Sequence, residues 1–315
     1  MRILINRKPI DGPYGGGNLL VRALCELLPE YGFEVSHGPI AQHSHEIFHF
    51  FPDVIFLQDP RPGNTGIGLE HMLWYKENVN PNVRIVHRVN ECDVRKGTTD
   101  VDDMLRKTSR FVDDTIFVSE WIKNYHVRHA SCRVYGGGRH HVIYNGVDRI
   151  HFQCRKKIDN GKINLVSAHW SDNYLKGQDV TEWLDDFVSK NEDFTFTFIG
   201  RTKANLKHSR HVQPLFGQSL GDELSRYDVC INATRFDPGP NSVIEPVTCG
   251  IPTYVHCDGG GAVEFAGADH TFATLDELES LLLRKKFEAN SIIFDTWQDM
   301  IKKYVCVLKH ETSIE

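Results

Sequence analysis

The sequence has no long hydrophobic run and no excess of basic charge, and each absence excludes a class of protein. Its 315 residues contain no apolar stretch that approaches the roughly 20 residues of a membrane span. The formal net charge is −6, so the chain lacks the basic field that nucleic-acid-binding proteins carry. We therefore expect no transmembrane segment and no nucleic-acid partner, while peripheral contact with a membrane stays open.

The chain also lacks paired cysteines and the spacing of a metal site. Its eight cysteines are scattered without a C-x-x-C pair, and several lie in apolar patterns, as free buried thiols do. The apolar stretch at residues 3–5 is too short for a signal peptide, so we expect a reducing, cytoplasmic location. The histidines at 43, 45 and 49 have no Cys or Asp partners at finger or protease spacing. Asp100 and Asp102 begin a predicted helix rather than end a strand, so we expect no metal.

Strand and helix signals alternate along the chain. In the first half, apolar strands are predicted at 2–6, 54–57, 84–88, 115–118 and 141–144, and helices at 19–28, 68–77, 101–108 and 120–125. After a polar run at 155–162 the alternation of strands and helices begins again. Strands are predicted at 163–168, 194–199, 229–232 and 253–255, and helices at 178–189, 220–226, 242–249, 262–266 and 276–283. This rhythm predicts an α/β fold with a doubly wound parallel sheet in each half. We expect domains at 1–150 and 151–294, followed by a last amphipathic helix within 295–315.

One loop in the second half carries two carboxylates eight positions apart, Asp237 and Glu245, with a Pro/Gly-rich segment between them. It lies between two predicted strands, at the carboxyl edge of the sheet where ligands of open α/β folds bind. Asn241 or Ser242 can cap the following helix, whose free N–H groups then face an anion in the loop. Each carboxylate can accept two sugar hydroxyls, so the loop predicts a pocket for a polyhydroxylated ligand attached to a phosphate.

This loop resembles the E-x7-E signature of retaining GT-B glycosyltransferases of the family 4 group, with Asp237 in place of the first Glu. The resemblance implies two Rossmann-like domains that face each other across a cleft. It implies that Asp237 contacts hydroxyls of the donor sugar and that Glu245 binds the ribose of the nucleotide. It also implies that the backbone of the intervening loop meets the sugar or diphosphate, at Gly239, Pro240, Asn241, Ser242 and Val243. A lone D-x7-E is more often a pair of surface acids. The support for the resemblance therefore comes from further motifs that occur in the same order as in the family.

Two further stretches of the second half resemble donor-binding motifs of that family. Lys176-Gly177 matches its Lys-Gly, which neutralises the donor diphosphate, but His169 or Trp170 stands where the family has arginine. His169 or Arg201 would have to supply that second cation. The glycine-rich loop around Gly260 resembles the closing G-G-x-x-E motif, in which Glu264 either pairs with a ligand hydroxyl or offsets the helix dipole.

In the first half, a glycine-rich loop follows the first strand and contains Gly15, Gly16, Gly17 and Asn18. The dinucleotide fingerprint fails because its third glycine is replaced by Leu20, which argues against a Rossmann dehydrogenase. The alternatives are a flexible surface turn or, by resemblance, a loop of GT-B enzymes that meets donor and acceptor. We place Gly16 and Gly17 on the donor side and Gly15 and Asn18 on the acceptor side.

The richest polar cluster of the first half lies at residues 87–97, directly after a predicted strand. The family often has a catalytic or sugar-binding His or Asp here, and the spacing does not choose among the candidates. We assign His87 and Asp93 to the catalytic set, together with Lys176, Asp237 and Glu245. To the acceptor side we assign Arg88, Asn90, Glu91 and, after the next strand, Ser119. Residues 145–148 resemble the family's hinge signature.

Taken together, the motifs imply a retaining glycosyltransferase that moves a sugar from a nucleotide-diphosphate donor, linked to UDP or GDP, to an acceptor hydroxyl. The acceptor is a carbohydrate or is lipid-linked, and no cofactor or metal is expected. Two alternatives stay open. One is a GT-B nucleotide-sugar epimerase or hydrolase, and the other is a catalytically silent nucleotide-sugar-binding protein.

Overall fold

Two parallel six-stranded sheets form the framework of the molecule. The computed structural model describes residues 1–12, 15–38, 49–61, 67–128, 135–136, 138–155 and 157–311. The first sheet has the order β2-β1-β3-β4-β5-β6 and consists of Arg2–Ile5 (β1), Glu34–His37 (β2), Val54–Leu57 (β3), Arg84–Val89 (β4), Asp114–Phe117 (β5) and Arg139–Val142 (β6). The second has the order β12-β11-β10-β7-β8-β9 and consists of Ile163–His169 (β7), Phe194–Gly200 (β8), Arg210–Val212 (β9), Val229–Asn232 (β10), Thr253–His256 (β11) and Thr271–Phe272 (β12).

Helices connect the strands in each sheet. Those that follow strands of the first sheet are Gly16–Leu27 (α1), Leu69–Asn78 (α2), Asp93–Lys96 (α3), Val101–Ser109 (α4) and Glu120–Arg128 (α5). Those of the second are Gln178–Lys190 (α6), Gly217–Leu224 (α7), Asn241–Thr248 (α8), Gly261–Ala266 (α9) and Leu275–Leu283 (α10), and Trp297–Lys309 (α11) ends the described chain. Among the helices that the structure describes, none is both long and apolar enough to cross a membrane. The predicted doubly wound α/β architecture is confirmed.

The strands are buried because their apolar runs are covered on both faces. In β3 all four residues are buried, and so are all four residues of β10. Continuous apolar runs of this kind are typical of parallel sheets between two layers of helices. All strand pairs within the two sheets are parallel, so the carboxyl ends of the strands meet at one edge of each sheet.

The last helix, α11, packs against the first sheet although it follows the second in sequence. Met300, Ile301 and Tyr304 lie in one apolar cluster with Leu20 and Phe56. The chain therefore passes between the two sheets twice, once after β6 and once before α11.

The two passing segments run side by side. The N–H of Val147 donates to the carbonyl oxygen of Asp295 at 3.0 Å, and Val147 forms a parallel bridge with Thr296. Gly146 is required here, because a Cβ at this position would lie 2.7 Å from the Cα of Trp297. The segment that resembles a hinge signature thus lies against the second passage of the chain.

Candidate functional site

The turn that carries Lys176 is fastened to the loop that carries Asp237. Gly177 adopts a φ of +78°, and a Cβ there would lie 2.5 Å from the Cβ of Ala233 at the end of β10. The N–H of Arg235 donates to the carbonyl oxygen of Leu175 at 2.8 Å. These contacts place Lys176, which follows β7, beside Asp237, which follows β10.

Lys176 and Asp237 form a buried ion pair. The ammonium of Lys176 donates to Oδ2 of Asp237, and Oδ1 accepts from the N–H of Gly239 at 3.2 Å. Burial alone would raise the pKa of Asp237, but the charges of Lys176 and Arg95 outweigh it and hold that pKa well below its usual range. Arg95 belongs to the first domain, and its Nη2 lies 4.0 Å from Oδ2 of Asp237. The pair therefore joins both domains at the cleft.

Glu245 lies on α8, four residues from the start of the helix, and its surroundings differ from those of Asp237. Burial in the cleft raises its pKa to about 8, and this is the single cause of the shift. Among the residues that the structure describes, its carboxyl has no hydrogen-bond or ion-pair partner, although the residue is partly exposed. A partly exposed carboxyl group without a partner among the described residues is free to accept hydroxyls of a ligand.

No side chain caps α8, which corrects the expectation for Asn241 and Ser242. The N-cap residue is Pro240, and its position has no side-chain hydrogen bond. The Oδ1 atom of Asn241 instead accepts from Nδ2 of Asn145 at 2.7 Å, and Oγ of Ser242 accepts from Nδ2 of Asn232 at 2.8 Å. The N–H groups of Asn241 and Ser242 thus remain available to an anion, while that of Val243 donates to the carbonyl oxygen of Pro240 at 3.0 Å.

The glycine-rich loop before α9 is attached to the loop of Asp237 through backbone hydrogen bonds. The N–H of Gly261 donates to the carbonyl oxygen of Asp237 at 2.8 Å, and the N–H of Asp237 donates to Gly259 at 3.2 Å. Gly260 forms a parallel bridge with Asp237. The predicted donor-side residues Asp237, Gly239 and Gly260 are therefore neighbours.

Glu264 serves as a contact between the domains. Its two carboxylate oxygens accept from the N–H groups of Glu120 and Trp121, both at 3.0 Å, at the start of α5. The hydroxyl of Tyr144 also donates to it. Two roles were expected for Glu264, a contact with a ligand hydroxyl and an offset of a helix dipole. The structure shows its carboxylate at the positive end of a helix, and that helix, α5, belongs to the other domain. A contact of Glu264 with donor stays a prediction.

The missing arginine of the donor motif is not replaced by a charged histidine. Burial, followed by the charge of Lys176, lowers the pKa of His169 to about 3, so its imidazole is neutral. Arg201 is exposed, and its guanidinium carbon lies 4.1 Å from the ring centre of Trp170. Arg201 is therefore the cation that can approach a ligand from the end of β8.

The first domain contains a polar cavity of about 400 Å³ at the carboxyl ends of β1, β3 and β4. Four residues predicted from the cluster after β4 line it: His87, Arg88, Asn90 and Glu91. Burial lowers the pKa of His87 to about 3, and neither ring nitrogen has a hydrogen-bond partner among the described residues. A neutral imidazole can both donate and accept a hydrogen bond, so His87 can hold a hydroxyl of a ligand.

Three other predicted residues of the first domain are engaged in local structure. Asp93 accepts from the N–H groups of Val101 and Asp102, at 3.0 and 3.1 Å, and thereby caps α4. Oγ of Ser119 accepts from the N–H of Ile122 at 3.2 Å at the start of α5. Asn18 exchanges two hydrogen bonds of 2.8 Å with the backbone of Ile10. None of the three lines the cavity, and we do not carry Asp93 into the catalytic set.

Asn145 connects the two sides of the cleft, and our candidate residues did not include it. Its Oδ1 accepts from Nη2 of Arg88 at 2.8 Å, while its Nδ2 donates to Asn241. Gly16 fits against this pair, because a Cβ there would lie 3.0 Å from Oδ1 of Asn241 and 3.2 Å from Nδ2 of Asn145. Asn145 belongs to the segment that resembles the family's hinge signature, and that resemblance implied no contact for its side chain.

Other residues were also missed, although a signal for them exists. Arg7, Asp59 and Arg61 line the cavity. Arg7 directly follows the strand predicted at 2–6, and Asp59 and Arg61 lie within four residues of the strand predicted at 54–57, which is the kind of position that drew attention to the 87–97 cluster. Gly17 lies among these side chains, since a Cβ there would be 3.4 Å from Nε2 of Gln58.

One group of three side chains has the composition of a metal site. His256, Cys257 and Asp258 bring their donor atoms together, and in the described ranges no other such group occurs. However, Nδ1 of His256 already accepts from the N–H of Asp258 at 3.1 Å, and the ring also bonds to the backbone of Ala273. With its ring engaged in this way, the histidine is a poor metal ligand.

At the level of sequence, neither a protein-family model nor a curated protein matches the chain. Solved structures do resemble it over its whole length. Sucrose-phosphate synthase from Thermosynechococcus elongatus has a TM-score of 0.75 at 13% identity, over 98% of each chain. The fold is GT-B. The Anabaena protein HepE in complex with UDP-glucose has a TM-score of 0.66 at 15% identity, over 98% of this chain and 99% of that one.

A third neighbour with this GT-B architecture is WaaG, a glycosyltransferase involved in lipopolysaccharide biosynthesis. Its TM-score is 0.61 at 11% identity, over 96% of this chain and 95% of that one. At such identities the likeness establishes the architecture, and the chemistry has to be argued from the residues of this chain.

Proposed function

We propose that the protein is a retaining glycosyltransferase, which moves a sugar from a nucleotide-diphosphate donor to an acceptor hydroxyl. One observation carries the proposal. The Lys176–Asp237 ion pair and the uncapped start of α8 lie in one hydrogen-bonded group of loops at the carboxyl edge of the second sheet. That edge supplies a cation and helix N–H groups for a diphosphate, and carboxylates for sugar hydroxyls.

The donor takes over contacts that the protein makes with itself. The diphosphate binds the ammonium of Lys176 and the first N–H groups of α8, near Gly239 to Val243. Asp237 then accepts hydroxyls of the sugar, and the Gly260 loop closes over it. Glu245 accepts the ribose hydroxyls, which agrees with its lack of a partner in the described part of the chain.

The chemical step is an attack on the same face from which the leaving group departs. Asp237 is paired with Lys176 and so is not poised as a nucleophile for a covalent intermediate. The bond from the anomeric carbon to the diphosphate oxygen breaks, the acceptor oxygen forms the new bond, and the departing phosphate oxygen takes the acceptor's proton. Lys176 and the N–H groups of α8 stabilise the charge that grows on the diphosphate. His87 holds the acceptor or sugar hydroxyl in the cavity.

UDP is the nucleotide that we propose first, with GDP second. HepE was solved with UDP-glucose, and the pneumococcal O-GlcNAc transferase GtfA, with a TM-score of 0.60, was solved with UDP and GlcNAc. The acceptor is a carbohydrate or a lipid-linked sugar. Seven cysteines of the described chain are free, which supports a reducing, cytoplasmic location.

We further propose that transfer needs no divalent metal. Lys176 and the start of α8 supply the positive charge that Mg²⁺ or Mn²⁺ supplies in other transferases. Activity should therefore survive excess EDTA. Loss of activity in EDTA that returns with added Mn²⁺ or Mg²⁺ would contradict this part of the proposal.

The experiment that tests the function combines a binding panel with turnover. Thermal unfolding is followed with UDP-, GDP-, ADP- and dTDP-sugars, because a ligand raises apparent stability by RT ln(1 + [L]/Kd). Turnover of the best donor is then measured with and without acceptor extracts. Dependence on acceptor supports transfer, release of free or epimerised sugar without acceptor indicates the hydrolase or epimerase, and binding without turnover indicates a silent protein. Absence of any stabilisation by the panel would overturn the proposal.

A further inference from the structure

The cavity of the first domain holds more positive charge than its own carboxylates neutralise. Four basic and two acidic side chains line it: Arg7, Arg61, Arg88, Lys96, Asp59 and Glu91. Arg61 pairs with Asp59 at 2.7 Å. Lys96 pairs with Glu91 at 2.6 Å. Both acids are therefore in use, and the charges of Arg7 and Arg88 are left over.

Arg88 is a buried charge without a carboxylate. The residue is 2% exposed, Nη2 donates to the neutral amide of Asn145, and the guanidinium also has a side-chain hydrogen bond with Tyr304, which carries no charge. The Nε and Nη1 atoms have no hydrogen-bond partner in the described chain. Burial, together with the neighbouring charges of Arg7 and Arg95, lowers the pKa of Arg88. Buried charges are normally paired, so this guanidinium lacks the anion that its position calls for.

Arg7 lies at the mouth of the same cavity. It follows β1 and is partly buried, and its Nη1 would be 4.0 Å from a Cβ placed on Gly17. No hydrogen bond or ion pair joins its guanidinium to any residue that the structure describes. Two unneutralised guanidinium groups thus face one volume. Arginine is the side chain best suited to bind phosphate and carboxylate groups with two hydrogen bonds at once.

We propose that this cavity binds the acceptor through an anionic group, a phosphate or a carboxylate, held by Arg7 and Arg88. The assignment to the acceptor rests on the proposed function. Every lining residue falls between positions 7 and 105, and the donor-side residues Lys176, Asp237 and Glu245 are not among them. Gly17, predicted on the donor side, borders the cavity beside Arg7, but the residues predicted to bind the diphosphate lie outside it, so we assign the anion to the acceptor. A volume of about 400 Å³ suits one sugar unit with its charged substituent, since small-molecule sites measure roughly 300–1,000 Å³.

The test compares hexoses that differ at one carbon. Glucose 6-phosphate, glucuronate and glucose share a ring and carry a phosphate, a carboxylate or a hydroxyl at C6. Each is titrated calorimetrically into the full chain, with inorganic phosphate as a fourth probe. We expect at least one charged hexose to bind tenfold or more tightly than glucose, with an affinity that falls as salt rises. The two charged hexoses decide between phosphate and carboxylate.

Variants show which side chains bind the anion. Arg7→Gln should weaken the charged hexose and inorganic phosphate by about tenfold or more, because a charge-assisted hydrogen bond is lost. Arg88→Gln should do the same, and Arg7→Gln keeps the test valid if the buried variant fails to fold. The matched control is Arg110→Gln, at an exposed arginine of the first domain outside the cavity lining, which should bind within twofold of wild type.

Two results would overturn the inference. The first is that neither inorganic phosphate nor a charged hexose binds more tightly than glucose. The second is that Arg7→Gln and Arg88→Gln weaken binding of UDP or GDP and leave the charged hexoses unchanged, which would assign both arginines to the donor. Failure of every nucleotide to bind, with anion binding intact, would instead remove the proposed function and leave an anion site without an acceptor role.

Discussion

The two carboxyl groups of the D-x7-E motif differ in environment, and so their roles can be separated by kinetics. Glu245 meets the ribose, which changes little between ground and transition states, so above pH 8, where Glu245 is a carboxylate, Glu245→Gln should mainly raise the donor KM. Lys176 meets charge that grows as the diphosphate leaves, so Lys176→Ala should lower kcat by about 10²–10³-fold. Asp237→Asn should fall between them and weaken discrimination among sugars. Steady-state kinetics measures kcat and KM for the three variants, with folding checked by circular dichroism. If both constants stay within twofold of wild type in all three variants, these residues do not belong to the site.

The raised pKa of Glu245 predicts a pH dependence of donor binding. Its pKa of about 8 means that the group is protonated at neutral pH and becomes a carboxylate as pH rises through 8. The carboxylate accepts both ribose hydroxyls, whereas the acid has less acceptor capacity. The donor KM should therefore fall, by about threefold to tenfold, between pH 6.5 and pH 9. Glu245→Gln should abolish this slope, and a slope that persists in the variant would place the titrating group elsewhere.

At the residue scale, the sequence indicates some neighbours in the site but not others. Lys176 and Asp237 were both assigned to the catalytic set, and the structure places them side by side because each follows a strand of the same parallel sheet, where strand ends meet. Glu264 could not be placed in this way. Its partners, the N–H groups of Glu120 and Trp121, belong to the other domain, and no local pattern encodes how two domains face each other.

At the scale of single elements, Asp93 is predicted to stabilise α4 without taking part in catalysis. Asp93→Ala removes two hydrogen bonds to the start of this helix and should lower the free energy of unfolding by about 1–2 kcal/mol. The kcat should stay within twofold of wild type. Urea unfolding and steady-state kinetics on one preparation test both statements. A large loss of kcat with unchanged stability would restore Asp93 to the catalytic set.

The attachment of α5 to Glu264 gives a second prediction at this scale. Glu264→Gln keeps the size of the side chain but removes the negative charge that faces the positive end of α5. We expect a loss of about 1 kcal/mol in the free energy of unfolding. Glu279→Gln is the control, because that exposed acid lies in the middle of α10, away from the start of a helix. Equal effects of the two variants would contradict the interdomain role.

Secondary structure followed from the sequence best where all residues of a strand are buried. Strands predicted at 54–57 and 229–232 have the observed bounds, because fully buried parallel strands are unbroken apolar runs. Three strands were missed: Glu34–His37, Arg210–Val212 and Thr271–Phe272. All three lie at sheet edges, where one side of the strand is unpaired and short or polar sequences suffice. The predicted strand at 141–144 lies two residues earlier, at Arg139–Val142, for the same reason.

At the scale of the whole molecule, a buried charge cluster holds the returning helix α11. Asp114 is fully buried and accepts hydrogen bonds from Arg84, from Arg139 at 2.9 Å and from His141 at 2.8 Å. Arg84 also donates to the carbonyl oxygen of Leu308 at 2.8 Å, at the end of α11. Burial would raise the pKa of Asp114, but its three partners outweigh burial and hold that pKa well below its usual range.

The depressed pKa predicts that this cluster loses its stabilising effect in acid. Stability from a carboxylate with a lowered pKa is fully present above its unfolded value, about 4, and is lost as pH falls through the folded value. Asp114→Asn should cost about 1–3 kcal/mol at pH 7, because the buried carboxylate loses its charge-assisted hydrogen bonds to partly exposed cations, and should flatten the loss of stability below pH 4. Urea unfolding at pH 7 and pH 3.5 measures both. Asp186→Asn, at an exposed pair with Lys190, is the control and should change stability by less than about 1 kcal/mol.

The two chain passages that lie side by side at Gly146 and Trp297 restrict how the domains can move. Once the contacts of Arg95 with Asp237 and of Glu264 with α5 open, the two domains keep a single easy degree of freedom, a rotation about this line. The donor binds the second domain and the acceptor binds the first. Both ligands therefore depend on the same angle between the two domains. The ligand that binds first fixes this angle and loses the conformational entropy of doing so. The second ligand then binds without losing that entropy again. By thermodynamic reciprocity, donor and acceptor should each raise the affinity for the other by the same factor.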